Sequence, residues 1–210
     1  ADRIDDVQYG IFREMPGNDN RILLQQTFTG ETRLDRIAAY VLDRTVKDGK
    51  VGSFRSRIGN DEIVFESPGF EIPTLSVTRF PYEEYHSHFD TPEIISERRL
   101  ENYCSYVERI IEVLESDFVP KRTFEGLPSL ANPKYDLYID HNEIDAGSEE
   151  NIHEFRHRIL RYLDGEKTAF ELADEFDLDY EFVSSYLEEF VACDLITSCN
   201  PFAHVDTVGE

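Results

Sequence analysis

Ile72-Pro73-Thr74-Leu75-Ser76-Val77-Thr78 is the stretch that decides the fold, because a β-branched run set off by a proline predicts a strand. Upstream of it, residues 51–57 alternate between apolar and polar side chains, which predicts a second strand. Two further runs, at 7–13 and 21–28, are separated by the turn formers of residues 16–20. The first part of the chain is therefore expected to contain a β-sheet.

Two amphipathic helices are predicted around these strands. Residues 31–44 place apolar side chains at helical spacing, and Thr29 or Gly30 is available to open the helix. Residues 96–116 form a longer helix capped by Ser96, and its expected core face is Leu100, Tyr103, Val107, Ile110, Ile111 and Leu114. The order of strand, helix and strand predicts an α/β layer.

The pattern changes after Pro120. A stretch rich in glycine, proline and asparagine contains one short alternating run, Tyr135–Ile139, and an acidic loop at 140–150 follows. Three helical patterns with short connections then indicate a helix-turn-helix or winged-helix module, at 151–163, 168–176 and 180–193. We predict three regions: the α/β domain at 1–125, a linker with a short strand at 126–150, and a small helical winged-helix-like domain at 151–210.

The charge balance excludes several kinds of partner. Acidic residues outnumber basic ones by 44 to 21, and the formal net charge is -23 at pH 7. Such a surface repels nucleic-acid phosphates and anionic lipids, so neither nucleic acid nor membrane is an expected partner. No apolar run approaches the ~18 residues of a membrane span, and the first residues lack the profile of a signal peptide. Three cysteines without a Cys-x-x-Cys pair favour a reducing compartment, and we expect a cytoplasmic protein.

One motif formally matches a zinc-protease pattern, His153-Glu154-Phe155-Arg156-His157. The core face of this helix is centred on Phe155 and Ile159, which turns both histidines toward its flank. A charged Arg156 would also stand inside a site that should be shielded. We therefore predict a solvated helix face, with neither histidine a metal ligand.

Three other segments carry a family resemblance through their order and spacing. They are Gly59-Asn60-Asp61-Glu62-Ile63-Val64-Phe65, Ser67-Pro68-Gly69-Phe70-Glu71-Ile72-Pro73, and Tyr85-His86-Ser87-His88-Phe89-Asp90-Thr91. Together they resemble the aminopeptidase-like domain family of unknown function, bacterial and archaeal relatives of the co-catalytic zinc aminopeptidases and glutaminyl cyclases. The resemblance extends over residues 5–140, and a winged-helix tail also fits the family. It implies the C-terminal half of a zinc-aminopeptidase-like mixed sheet with flanking helices.

The resemblance also implies a site. His86 is similar to the last zinc ligand of the family, Asp90 to the helper carboxylate of the same loop, and Asp61 and Glu62 to an acidic pair that faces the metal cleft. Neutral imidazole is a good zinc ligand, and carboxylates can bind a substrate amino group or polarise water. The alternatives are a surface loop with two incidental histidines and a solvated acidic turn. If these residues form the metal site that the resemblance implies, Asp61, Glu62 and His86 are expected to converge on one cleft at the carboxyl end of the strands.

The family's remaining metal ligands lie upstream, in a His-x-x-His-Pro-like strand end and an Asp-Asn turn that this chain lacks. One histidine cannot hold a catalytic zinc, which needs about three protein ligands. We therefore expect part of a zinc-dependent aminopeptidase-like hydrolase, inactive as this chain alone. Its expected partners are a peptide or amino-containing small substrate and a complementary N-terminal half. The rival hypothesis is a non-catalytic acidic scaffold or protein-interaction module.

We expect the protein not to bind DNA, because a chain of this charge gains nothing from the release of counterions. The last predicted helix, 180–193, carries no lysine or arginine with which to contact phosphates. A gel shift with a short duplex at low salt is the measurement. A clear complex at micromolar protein would contradict this expectation.

Overall fold

The computed structural model describes residues 4–138 and 146–201. The chain divides into two compact units, Ala1–Leu114 and Glu115–Glu210. In chain order the elements are β1 (Gly10–Glu14), β2 (Arg21–Gln25), α1 (Arg33–Thr45), β3 (Lys50–Gly52), α2 (Glu62–Phe65), β4 (Thr74–Phe80), α3 (Glu97–Ser116), β5 (Val119–Arg122), α4 (Glu149–Tyr162), α5 (Ala169–Glu175), α6 (Tyr180–Ala192) and β6 (Ile196–Cys199).

The first unit is built on a mixed sheet of four strands in the order β1-β4-β2-β3. β4 is parallel to β1 and antiparallel to β2, and β3 is parallel to β2. The strand that the sequence singled out is therefore central, and the expected α/β fold with a mixed sheet is confirmed. The turn formers of residues 16–20 join two strands that are not neighbours, because β4 lies between them.

The two faces of this sheet differ in polarity. On one face the β4 side chains Leu75 and Val77 are fully buried, and the Tyr103 hydroxyl of α3 donates to the Val77 carbonyl at 2.7 Å. Since side chains alternate along a strand, Ser76 and Thr78 point to the opposite face. Both are buried, at 2% and 0% exposure. Along β4, one face is therefore apolar and the other carries hydroxyls, and we call the second the polar face of the sheet.

α1 begins at a capping box, with its first helical residue at Arg33, two residues later than the sequence indicated. Thr32, and not Thr29 or Gly30, is the N-cap: its hydroxyl accepts a hydrogen bond from the Asp35 amide, and the Asp35 carboxylate accepts one from the Thr32 amide. Asp35 also accepts from the amide and hydroxyl of Thr27, at 2.8 and 2.5 Å. The buried Asp35 carboxylate therefore accepts hydrogen bonds both from the N-cap and from the preceding loop. Together these bonds fix the residue at which the helix starts.

The buried face of α3 differs from the expected one, and Leu100 and Leu114 are only half-buried. Tyr106 and Val113 are buried, whereas Ile111 is 41% exposed. Residue 111 follows the buried Ile110 by a rotation of about 100°, which turns it out of the apolar face. The Tyr106 hydroxyl donates to the Ala38 carbonyl at 3.0 Å, so that α3 is tied to α1.

Among the residues that the structure describes, Arg79 is the largest side chain that is almost completely buried, at 1% exposure. Its guanidinium donates to the carbonyls of Pro16, Asn20 and Arg99, at 2.8, 2.7 and 3.0 Å, and to the side-chain oxygen of Asn102, at 3.1 Å. Burial and the neighbouring Arg99 charge lower its pKa. One side chain thus connects β4, the turn before β2 and the start of α3.

The second unit combines α4, α5 and α6 with the antiparallel pair of β5 and β6. β5 lies within residues 1–125, the range predicted for the first domain, and pairs with β6. Capping side chains begin all three helices, Ser148, Thr168 and Asp179. The fully buried core between them includes Phe155, Phe170 and Phe190.

The short strand expected at Tyr135–Ile139 is absent from the residues that are described there. The amides of Tyr135 and Asp136 both donate to the Asn132 carbonyl, which closes a turn. Asp136 adopts a positive φ of 53°, which lies outside the range of regular strands. Ile139 and the acidic residues up to 145 lie outside the described residues.

Over the described ranges, no helix is long and apolar enough to cross a membrane.

Replacing Arg79 with lysine should destabilise the first unit by about 2–4 kcal/mol, because an ammonium group cannot reach four acceptors set out around a planar fork. The free energy of unfolding in urea is the measurement. Arg98→Lys, at an exposed position of α3, is the matched control and should change stability by less than about 0.5 kcal/mol. Equal effects of the two substitutions would contradict the anchoring role.

Candidate functional site

The two acidic residues of the predicted pair occupy different environments. Asp61 is exposed at the start of α2, and its side chain makes no capping hydrogen bond. Glu62 is 1% exposed, and its carboxylate accepts from the Asn60 amide at 2.9 Å and from the Arg55 guanidinium at 3.0 Å. Glu62 therefore holds its own loop in shape.

A glycine makes this arrangement possible. A Cβ atom at Gly59 would overlap the guanidinium of Arg55, which lies directly against the loop backbone. The same guanidinium donates to the Asn60 carbonyl at 2.8 Å. The Gly-Asn-Asp-Glu motif is therefore explained locally: the glycine leaves room for a cation, and the glutamate pairs with it.

Glu14, the last residue of β1, brings the two predicted loops together. Its carboxylate oxygen Oε2 accepts from the Asn60 side-chain amide at 2.9 Å and from the Tyr82 hydroxyl at 3.2 Å. Asn60 belongs to the loop before α2, and Tyr82 belongs to the loop after β4. Because β1 and β4 are adjacent and parallel, their carboxyl ends lie side by side. The prediction that these loops meet at this end of the sheet is consistent with the contacts of Glu14.

The environment of Tyr82 keeps its hydroxyl protonated. Burial, followed by the adjacent Glu14 carboxylate, raises the pKa of Tyr82 to about 12. At neutral pH the phenol is therefore a hydrogen-bond donor, as its contact with Glu14 requires.

His86 lies on the exposed part of the loop that follows β4. Its ring stacks on Tyr85 with 3.9 Å between centroids, and Tyr85 in turn contacts the Tyr82 ring at 5.1 Å. Its φ of 60° is unusual for a residue other than glycine. Asp90 is exposed four residues later. A stacked and a T-shaped ring contact thus connect His86 to Tyr82, which binds Glu14. The convergence of Asp61, Glu62 and His86 on one cleft stays a prediction.

Two buried hydroxyls lie on the same face of the sheet as Glu14. Thr78 is the register partner of Glu14, and Ser76 precedes it on the same face. Neither hydroxyl has a hydrogen-bond partner among the described residues. Buried polar groups without partners are uncommon and mark places where a protein departs from ordinary packing. Nothing in the sequence singles out these two hydroxyls, because threonine and serine in a strand look like ordinary sheet residues.

The described residues do not by themselves fit a catalytic zinc site. Within residues 4–138 and 146–201, no group of three or more His, Cys, Asp or Glu side chains is placed to hold a metal ion. A catalytic zinc needs about three protein ligands. Of the predicted residues, Glu62 is already paired with Arg55, and His86 and Asp90 are both exposed.

The HExxH-like motif lies on the exposed side of α4. The His153 and His157 rings contact each other at 4.4 Å between centroids, and both residues are exposed. Glu154, which would be the base of a zinc protease, forms an ion pair with Arg158. The Glu154 carboxylate is therefore paired with a cation on the helix surface. That this is a solvated helix face, with neither histidine a metal ligand, stays a prediction.

A protein-family model described as a domain of unknown function (DUF4910) matches residues 1–117. The chain belongs to this family. It is 24% identical over 183 residues to the "Putative polysaccharide biosynthesis protein with aminopeptidase-like domain" of Clostridium acetobutylicum, a match that covers 85% of this chain and 41% of that protein.

The DUF4910 chain also shares its fold with a solved structure. A crystal structure of a "putative peptidase" from Clostridium acetobutylicum has a TM-score of 0.78 and 18% identity, and the match covers 94% of this chain and 43% of that one. The chain thus spans about two fifths of the length of both relatives. At this identity the likeness shows the fold, which is similar to that of a peptidase-like protein.

Glu62 should behave as a structural residue paired with Arg55. Arg55→Met leaves a buried carboxylate without its cation and is expected to cost about 1–3 kcal/mol of unfolding free energy. The double variant Arg55→Met/Glu62→Gln should recover part of this loss, because the stranded charge is removed. Asp61→Asn, at the exposed neighbour, is the control and should be neutral within about 0.5 kcal/mol. Strictly additive effects in urea denaturation would show that the two side chains are not coupled.

Proposed function

We propose that this chain is a segment of an aminopeptidase-like hydrolase domain and contributes the sheet and two loops that border the substrate cleft. The observation that carries the proposal is the meeting of the two motif loops at Glu14, on a fold similar to that of a peptidase-like protein. Exposed Asp61 and the Glu14 cluster give this edge negative charge, which favours a peptide or another substrate with an amino group.

The zinc dependence of this hydrolase belongs to the proposal. His86 would supply one metal ligand, and Asp90 would be the carboxylate of the same loop. Since the described residues offer no group of three donors, the remaining ligands would come from elsewhere. The complementary part would be the upstream half of the domain. We therefore expect no catalysis by this chain alone.

The isolated chain is expected to contain much less than one zinc per molecule and to leave an aminoacyl p-nitroanilide uncleaved. Metal analysis by mass spectrometry and a chromogenic assay are the measurements. His88→Ala is the matched control for His86→Ala, because both histidines are exposed on the same loop. Stoichiometric zinc that is lost on His86→Ala and kept on His88→Ala would contradict an incomplete site.

The second candidate function is a non-catalytic acidic scaffold. It is favoured by the engagement of Glu62 in its own loop and by the net charge of -23. The full product of the gene separates the two functions. Aminopeptidase activity that depends on His86 and not on His88 supports the hydrolase, whereas a full product that neither binds zinc nor cleaves the substrate supports the scaffold.

For the second unit we propose a winged-helix-like module that binds protein and not DNA. Three helices with short connections and an antiparallel pair of strands support this assignment. α6, in the position of a recognition helix, carries Glu181, Glu188 and Glu189 and no basic residue. A cationic protein surface is the partner that such a helix favours.

A further inference from the structure

A cavity of about 650 Å³ lies over the polar face of the sheet, above β2 and β3. Its base is Leu23 of β2, with Phe80 and Pro81 at the end of β4. Arg21 pairs with Phe80 across the sheet, and Leu23 pairs with Lys50, so these side chains project from the same face. The volume is in the range of small-molecule sites, roughly 300–1,000 Å³.

Every charged residue among the described ones that line this cavity is basic. They are Arg21, Lys50 and Arg57, and none of their side chains pairs with a carboxylate of the described residues. The hydroxyls of Ser53 and Ser56 line the same space. The whole chain has 44 acidic and 21 basic residues. A cavity whose charged lining residues are all basic therefore has the opposite charge to the protein as a whole. It therefore concentrates positive charge locally on a protein whose net charge is negative, and local positive charge favours anions.

The loop that carries Arg57 is fixed by a buried glutamine. Gln25, at 1% exposure, accepts from the Arg57 amide at 2.8 Å and from the Ile58 amide at 3.3 Å. Its side-chain amide donates to the Ile58 carbonyl at 3.0 Å. Three hydrogen bonds from one buried side chain hold the backbone of this loop against β2. The backbone that carries Arg57 is consequently pre-organised, which lowers the entropy cost of binding.

We propose that this cavity binds a small molecule that carries a carboxylate or a phosphate on a compact apolar group. The two guanidinium groups and the ammonium group would hold the anion, since arginine matches the planar oxygens of both chemistries. Leu23 and Phe80 would contact the apolar part. The inference stands on this cavity alone and does not depend on the proposed hydrolase function.

Calorimetric titrations of the purified chain with phenyl phosphate, benzoate and benzyl alcohol, at constant ionic strength, test the proposal. At least one of the two anions should bind with saturation and at least tenfold more tightly than the neutral alcohol. The tighter of the two anions identifies phosphate or carboxylate as the natural chemistry. Equal binding of all three ligands, or no saturable binding of either anion, overturns the proposal.

A matched pair of variants separates the cavity from the overall charge. Lys50→Gln/Arg57→Gln removes two cations from the cavity and should weaken anion binding at least tenfold. Lys47→Gln/Arg98→Gln removes the same charge from a neighbouring cavity of about 390 Å³, which also contains Asp19 and Asp48, and should leave binding unchanged. An equal loss in both double variants would assign the binding to long-range charge and overturn the proposal. Circular dichroism confirms that each variant is folded before titration.

Discussion

The buried guanidinium of Arg79 is the constraint on which the first unit depends. A buried cation that keeps its charge requires acceptors for its donors, because an unsatisfied charged group in the interior costs several kcal/mol. Here the acceptors are three main-chain carbonyls and one amide oxygen. Since these come from the turn before β2 and from α3, only one arrangement of those segments satisfies them all. β4, the central strand, is thereby fixed at its carboxyl end, where the loop with Tyr82 and His86 begins.

The sequence predicted the elements whose signal is local. The three helices of the second unit start at capping side chains, and their ends lie within two residues of the expected positions. This agreement follows because helical periodicity and caps depend on residues that are close together in the sequence. The position of β4 between β1 and β2 could not be predicted in this way, since strand order depends on pairing between distant residues. β3 ends earlier than the expected residue 57, at Gly52, and the amide of Arg57 donates to the Gln25 side chain instead of to a neighbouring strand.

The candidate site also combines features with a local sequence signal and features that depend on contacts between distant residues. The motifs of residues 59–62 and 85–90 were visible as patterns, and their loops do approach one cluster. Glu14 and Tyr82, which join them, were not singled out, because a carboxylate at a strand end and a tyrosine in a loop carry no signal until the fold pairs them. Glu62 pairs with the neighbouring Arg55, which the motif alone did not indicate, and its place in a metal cleft stays a prediction.

The polar face of the sheet carries opposite charges at the two ends of one row. Glu14 lies opposite Thr78, Thr78 opposite Leu23, and Leu23 opposite Lys50, so the acidic residue and the basic one are three strands apart. At the usual spacing between strands this is about 14 Å. Charges on the two ends of a sheet row do not neutralise each other at such a distance, because salt screens exposed charges beyond about 8–10 Å. Each end of the row therefore has its own electrostatic potential. A cationic ligand group is attracted to the Glu14 end of the face, and an anionic group is attracted to the Lys50 end.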